Sequence, residues 1–386
     1  MNLEQQLLIN AVKASVTGQQ ISPEGDPDWQ GFISLARAHR LEALAYDGLQ
    51  KSNISLPDAV QQYLTAAYMQ AIFRDTQMEH LRGQLQTMLE EAAVKHIFLK
   101  GSVLKYDYPV PALRTMCDMD ILVYATDFAK IDSIAKELGG KALPGDGNHR
   151  NYAFPGGVAV EFHPNLLHHD TPVGTQINPG WQYAKANQAG SSLELTEEGF
   201  YLNTLCHLAN HFVAGGVGVR FVLDVWVNRH LRKHPADRVF VEKELESFGL
   251  LDFAKNIEDL AEYWFGNGEE TPLLQELGEY ILTSGSHGFS DRAILNAVTL
   301  SPGQSQKSAL LKKAFYSRSE LEDRFPWCKG KAILLPAAWC CRAYKAVTRH
   351  GSLILTWGKQ TGDISKEQIQ KQTQLLNRFG IHRGRK

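Results

Sequence analysis

Cys117-Asp118-Met119-Asp120-Ile121-Leu122-Val123-Tyr124 is the stretch that decides the reading of this chain. Ile121 to Tyr124 is an apolar, β-branched and aromatic run, the composition of a buried strand. Side chains alternate along a strand, so Asp118 and Asp120 emerge on one face. Two carboxylates so close repel each other unless a cation sits between them, and hard oxygen ligands at that separation suit Mg²⁺ or Mn²⁺. A solvent-facing strand start that carries two acids is the plain alternative, and an isolated Asp-x-Asp does not exclude it.

Two neighbouring segments give the pair a context. Upstream, Phe98-Leu99-Lys100-Gly101-Ser102-Val103-Leu104-Lys105 reads as a strand that ends in Gly-Ser and enters a short helix. Glycine lets the backbone approach a phosphate, and a helix start presents free N–H groups with partial positive charge. Ser102 adds a hydroxyl donor, and Lys100, Lys105 and Arg114 are cations able to neutralise a leaving pyrophosphate. Downstream, Val158-Ala159-Val160-Glu161-Phe162-His163 reads as a strand that turns Glu161 away from its apolar neighbours. Paired into a sheet, Glu161 can reach the same cluster; an exposed strand acid is the alternative.

Around this centre the texture changes twice. Residues 1–94 read as a helical segment, with Leu3, Leu7, Leu8, Ala11 and Val12 at helical spacing and a long run from Val60 through Leu64, Tyr68, Ile72, Met78, Leu81 and Leu85 to Met88. Ser55, Pro57 and Asp58 supply a start for the long helix. Residues 95–195 read as a small mixed α/β catalytic domain, with strands at 97–99, 121–124, 152–154 and 158–162, a helix between 126 and 138, and a hairpin turn at Phe154-Pro155-Gly156-Gly157-Val158. Residues 196–350 return to helices, opened by Thr196-Glu197-Glu198-Gly199, where Thr196 caps the first turn, and broken near 266–268 and 301–303. Residues 351–386 form a tail with an amphipathic helix near 366–378. The expected fold class is α+β: a small mixed-sheet core flanked by helical regions.

The 386 residues carry a formal net charge of −2, with 44% hydrophobic and 21% charged residues, ordinary globular values that do not provide the cationic surface duplex DNA requires. No apolar run reaches the roughly 20 residues needed to cross a bilayer, and the N-terminus lacks signal-peptide grammar, so a cytoplasmic protein is expected. Five cysteines without doublet spacing describe neither a disulfide framework nor a cysteine zinc site. The basic tail of Arg378, His382, Arg383, Arg385 and Lys386 reads as a solvated chain end.

A strand ending in Gly-Ser, a helix, a strand with Asp-x-Asp and a later strand with one more acid together resemble the DNA-polymerase-β-like nucleotidyltransferase superfamily. More narrowly, Phe98 to Ser102, Tyr108-Pro109, Arg114 and Asp118 to Val123 resemble the bacterial group catalogued as uncharacterised nucleotidyltransferases, as do Val160 to His163, His207 to His211, Arg220 to Asp224, and Leu334-Leu335-Pro336 with Arg342. The resemblance implies a nucleotidyltransferase core in which Asp118 and Asp120 bind metal and Glu161 is third ligand or the base that activates the acceptor. Two departures stand out: a long Ser102-to-Asp118 gap filled by Tyr106-Asp107-Tyr108-Pro109-Val110-Pro111, and glutamate where the wider superfamily commonly has aspartate.

The remaining polar clusters are read more plainly. His207 and His211, four apart on a helix, could share a metal, touch the nucleotide across the cleft, or simply pack. His163, His168, His169 and Asp170, just after Glu161, read as an exposed loop, with a place in the lining of the cleft as the alternative. Gly215-Gly216-Val217-Gly218 follows a helix and not a strand, so it reads as a tight turn and not a dinucleotide loop. Arg220 and Asp224 fit an intrahelical ion pair, or Arg220 meets a phosphate or base. The sites read for nucleotide binding are thus Lys100, Gly101, Ser102, Lys105, Arg114, His211 and Arg220. The expected reaction moves an NMP group from an NTP to an acceptor, whether protein, RNA, sugar or small molecule, with release of pyrophosphate. A catalytically inactive nucleotide-binding module, and a phosphohydrolase or nuclease using the same carboxylates, are the competing readings.

Overall fold

Four helices precede the first strand: α1 (Leu3–Thr17) and α4 (Asp58–Glu91), where apolar spacing predicts them, and between them α2 (Trp29–His39) and α3 (Glu42–Lys51), for which no separate spacing is read. Asn2 and Gln5 close a reciprocal capping box at α1, and Asp28 caps α2. The long helix α4 starts at Asp58 with Pro57 flanking it in extended backbone and no side-chain cap. Ser55 lies two residues ahead of the cap position, which Pro57 occupies. The computed structural model describes residues 1–22, 25–143, 149–165, 180–186, 190–285 and 365–382, with shorter stretches between 292 and 344.

The sheet that follows is mixed. Strands β1 (His96–Phe98), β2 (Asp118–Val123), β3 (Lys141–Ala142), β4 (Arg150–Phe154) and β5 (Val158–His163) lie in the order β1-β2-β5-β4-β3. β2 and β5 run parallel, and every other neighbouring pair is antiparallel. The one-turn helix α5 (Gly101–Leu104) follows β1, and α6 (Phe128–Glu137) follows β2. The expected hairpin between β4 and β5 forms, with Gly156 and Gly157 both at positive φ (76° and 73°), a conformation that bulkier residues resist. Arg74 of α4 donates to the carbonyls of both glycines, at 3.1 and 2.9 Å, and so fixes the turn from outside the sheet.

The two faces of this sheet enter two different cores. Met119, Ile121 and Val123 of β2, with Val158, Val160 and Phe162 of β5, pack against Met78, Leu81, Leu85 and Leu89 of α4 and Ile131 and Ile134 of α6. The opposite face presents Leu122, which joins Ile97 and Leu99 in the larger core. Each of these aliphatic side chains removed from water contributes roughly 1.5–3 kcal/mol. The alternation that buries Met119 and Ile121 on one side therefore turns Asp118 and Asp120 to the other.

After a short ribbon of β6 (Ala184–Ala186) and β7 (Leu193–Leu195), the chain becomes helical again: α7 (Glu197–Ala214), α8 (Val219–His230), α9 (Arg238–Ser247), α10 (Leu251–Phe265) and α11 (Pro272–Leu282). Thr196 caps α7 through the Gly199 N–H, as expected. The glycine-rich run 215–218 is the turn between α7 and α8. A C-terminal helix (Lys366–Arg378) follows, capped by Ser365. α1, α2, α3 and the first half of α4 share one continuous core with α7, α8, α10, α11 and the C-terminal helix. The fold is α+β, with a mixed sheet and helical regions toward both ends of the chain. No described helix is long and apolar enough to cross a membrane. The break expected at 301–303, the cluster His168, His169 and Asp170, and the basic end Arg383, Arg385 and Lys386 lie outside the described residues.

Candidate metal and nucleotide site

Parallel pairing of β2 and β5 sets the site. Its register puts Asp120 beside Glu161, Asp118 beside Ala159 and Leu122 beside His163. On adjacent strands these positions share one face, so Asp118, Asp120, Glu161 and His163 rise from the sheet together. His163 Nε2 lies 2.9 Å from Asp120 Oδ1 and 3.3 Å from Glu161 Oε2. One ligand atom from each of Asp120, Glu161 and His163 falls within 4.8 Å of the other two, the spacing of a group that can close around one metal ion.

The electrostatics of the cluster are those of a site that wants a cation. Burial and the neighbouring Asp120 carboxylate push Asp118 above its ordinary range. Burial also opposes ionisation of Asp120, but the Lys100 ammonium at 2.7 Å and the His163 hydrogen bond outweigh it and hold that carboxyl well below the usual range. The His163 hydrogen bond lowers Glu161, against the effect of burial. His163 is raised in turn, because its bonds to Asp120 and Glu161 overcome its desolvation. Three carboxylates, one imidazole and one ammonium thus balance one another on a rigid pair of strands. This donor set fits a divalent ion: hard oxygens dominate it, and a second positive charge would relieve Asp118.

Lys100 holds its place by an unusual backbone. It stands before α5 at φ 52° and ψ −126°, a conformation a non-glycine residue adopts only under constraint. Gly101, next to it, has no room for a side chain: a Cβ there would sit 2.6 Å from Met116 Sδ and collide with the guanidinium of Arg114. The requirement for glycine at 101 thus comes from the close passage of the 114–116 loop.

Several residues expected to cradle phosphate have partners within the protein in this structure. The Ser102 hydroxyl is buried and donates to the Leu99 carbonyl at 2.7 Å, and the N–H groups of Ser102 and Val103 turn back onto Leu99 and Lys100. A helix of one turn spends these donors on closing itself. Lys105 is fully buried, with its ammonium between Asp75 and Glu79 of α4. Arg114 grips Asp224 of α8 through Nε at 3.1 Å and Nη2 at 2.6 Å, and Tyr108 donates to the same carboxylate at 2.6 Å. The intrahelical pair expected between Arg220 and Asp224 is therefore replaced: Asp224 faces Arg114, and Arg220 donates to the Thr115 carbonyl at 2.7 Å. Burial and the nearby Arg114 charge lower Arg220 to about 10. A helical i, i+4 spacing permits an ion pair, but a bidentate partner from another element offers two bonds for one.

His207 and His211 meet at 3.0 Å between their Nε2 atoms, with Phe221 of α8 stacked against both rings. Burial holds His207 well below its ordinary range, helped by the charge of Lys100 and by His211. The charges of Asp120 and His163 also act on this ring, in opposite directions. Among the described residues, no third histidine, cysteine or acid joins the two as a metal ligand set. His163 belongs to β5 and not to an exposed loop: it is two residues beyond Glu161 on the same strand face, and that alternation was the signal for it in the sequence.

A family model described as "Uncharacterised nucleotidyltransferase" matches residues 25–266, from just ahead of α2 to the end of α10. No curated protein and no solved structure matches the chain.

Proposed function

The chain belongs to the family of uncharacterised nucleotidyltransferases, and from that premise we propose that it moves an NMP group from an NTP to an acceptor hydroxyl, phosphate or amine and releases pyrophosphate. The observation that carries this reading is the register of β2 against β5, which gathers Asp118, Asp120 and Glu161 on one sheet face, with Lys100 of the Gly-Ser turn against Asp120. Asp118 and Asp120 would hold Mg²⁺ or Mn²⁺, with Glu161 as third ligand or as acceptor base. A bound divalent ion supplies charge stabilisation at the α-phosphate and the leaving oxygen.

The protein's own groups account for the rest. Asp120 is kept ionised by Lys100 and so stays ready as a ligand. Once Asp120 has a second cationic partner, Lys100 is free to turn its ammonium toward the polyphosphate, on the same side of the sheet. Ser102 and Gly101 support that loop from within. Arg114, Tyr108 and Asp224 brace it against α8, and His211 and Arg220 stand on the helices beside it. The rigid brace matters because catalysis by positioning loses rate steeply when a ligand shifts by about 1 Å.

The test is product analysis with each of four α-labelled NTPs and Mg²⁺ or Mn²⁺. Release of pyrophosphate with label retained on an acceptor, lost in the Asp118→Ala/Asp120→Ala double variant, is the expected result. Orthophosphate or cleaved nucleic acid as the product would favour a hydrolase. Absence of metal-dependent NTP binding by folded wild-type protein would leave an inactive module.

A further inference from the structure

We propose that His163 is a direct nitrogen ligand of the active-site metal and that this makes the site select Mn²⁺ over Mg²⁺. The inference rests on the nucleotidyltransferase reading above and adds a ligand and an ion preference to it. Three observations carry it. First, the imidazole atom that faces both carboxylates is Nε2, an atom through which histidine ligates metals. Second, its distances to Asp120 Oδ1 and Glu161 Oε2 are 2.9 and 3.3 Å. Adjacent ligands around an ion with bonds of about 2.1 Å stand about 3 Å apart, so the imidazole nitrogen already stands from each carboxylate oxygen at about the spacing of neighbouring positions in one octahedral shell. Third, the ring is fixed: it rises from β5 opposite Leu122 and lies against His149, with centroids 5.5 Å apart and planes 30° apart.

Mg²⁺ strongly prefers oxygen and sheds its water reluctantly, whereas imidazole is a good ligand for later divalent ions. Mn²⁺ accepts carboxylate and phosphate oxygens together with one nitrogen. A site of two or three carboxylates, one imidazole and an incoming triphosphate therefore fits Mn²⁺ better than Mg²⁺.

The experiment is pulsed electron paramagnetic resonance on the full-length protein loaded with Mn²⁺, with and without an NTP whose α,β-bridging oxygen is replaced by methylene. Wild type should show a nitrogen modulation that changes when its histidines carry ¹⁵N, persists in His211→Asn and disappears in His163→Asp. In parallel, Mn²⁺ should bind at least about tenfold more tightly than Mg²⁺ by calorimetric competition, and His163→Asp should bring the two close to parity. Mn²⁺ bound to wild type and lost in Asp120→Asn, but without histidine nitrogen modulation, overturns this proposal and leaves the nucleotidyltransferase reading standing. No Mn²⁺ bound by folded wild type overturns both. The ¹⁵N comparison needs no substitution, so the outcome does not depend on whether a variant folds.

Discussion

At the scale of single residues, the site shows how a side chain's chemistry is decided by its nearest partner. Lys100 and Lys105 are five residues apart in the same loop, yet one faces Asp120 and the other is buried between two acids of α4. Nothing in their local sequence separates those fates. Gly101 is the residue whose replacement is most informative. Alanine there would push its Cβ into the Arg114 guanidinium and loosen the buried pair with Asp224. Breaking such a pair costs about 3–5 kcal/mol, so chemical denaturation of Gly101→Ala should show a loss approaching that size. Gly83, where a Cβ would meet nothing within 4 Å, provides the control: Gly83→Ala, in the middle of α4, should leave stability unchanged or raise it by up to about 1 kcal/mol.

At the scale of elements, α4 and the C-terminal helix do the work the sequence left vague. α4 buries its first half in the helical core and its second half in the sheet core, and its polar face supplies Arg74 to the β4–β5 turn and Asp75 and Glu79 to Lys105. It is scaffolding that reaches within one contact of the site. The C-terminal helix is far along the chain from the sheet, yet Phe379 at its end is fully buried against Phe212 and Tyr280, and Gln372 bonds Asn296. Truncating a buried phenylalanine to alanine costs about 3–5 kcal/mol, so Phe379→Ala should lower the denaturation midpoint strongly while Mn²⁺ affinity at low temperature stays at the wild-type value. Loss of metal binding in a folded Phe379→Ala protein would contradict a purely supporting role for this helix.

At the scale of the whole molecule, buried neutral histidines tie distant elements together and make stability depend on pH. His39 at the end of α2 donates through Nε2 to the Leu282 carbonyl and accepts at Nδ1 from the Val219 N–H. Burial lowers its pKa from the ordinary value of 6.5, against the effect of the Leu282 bond. A protonated ring could not accept from Val219. His96 in β1 is lowered in the same way, chiefly by burial. A depressed folded pKa means that the unfolded chain takes up protons first. The stabilisation is therefore complete above pH 6.5 and is lost as pH falls from there toward the folded values. Both rings therefore lower stability as pH falls from 7 to 5.5. Denaturation midpoints measured across that window should fall, and the slope should be shallower in His39→Gln; a pH-independent midpoint would sink this account.

The sequence by itself determined the elements and the acids. Strand alternation is a local rule, so Asp118 and Asp120 on one face of β2, Glu161 on the matching face of β5 and the hairpin between β4 and β5 were all legible from a few consecutive residues. Only the tertiary structure decided which polar groups meet. That Arg114 takes Asp224 from Arg220, that Lys105 is buried between Asp75 and Glu79, and that His163 faces Asp120 depend on strand order and helix docking. These contacts join residues from about 30 to more than 100 positions apart, a distance at which spacing carries no signal. A charged side chain can be buried only where its partner arrives from elsewhere in the chain, so its role is fixed by packing and not by its neighbours in sequence.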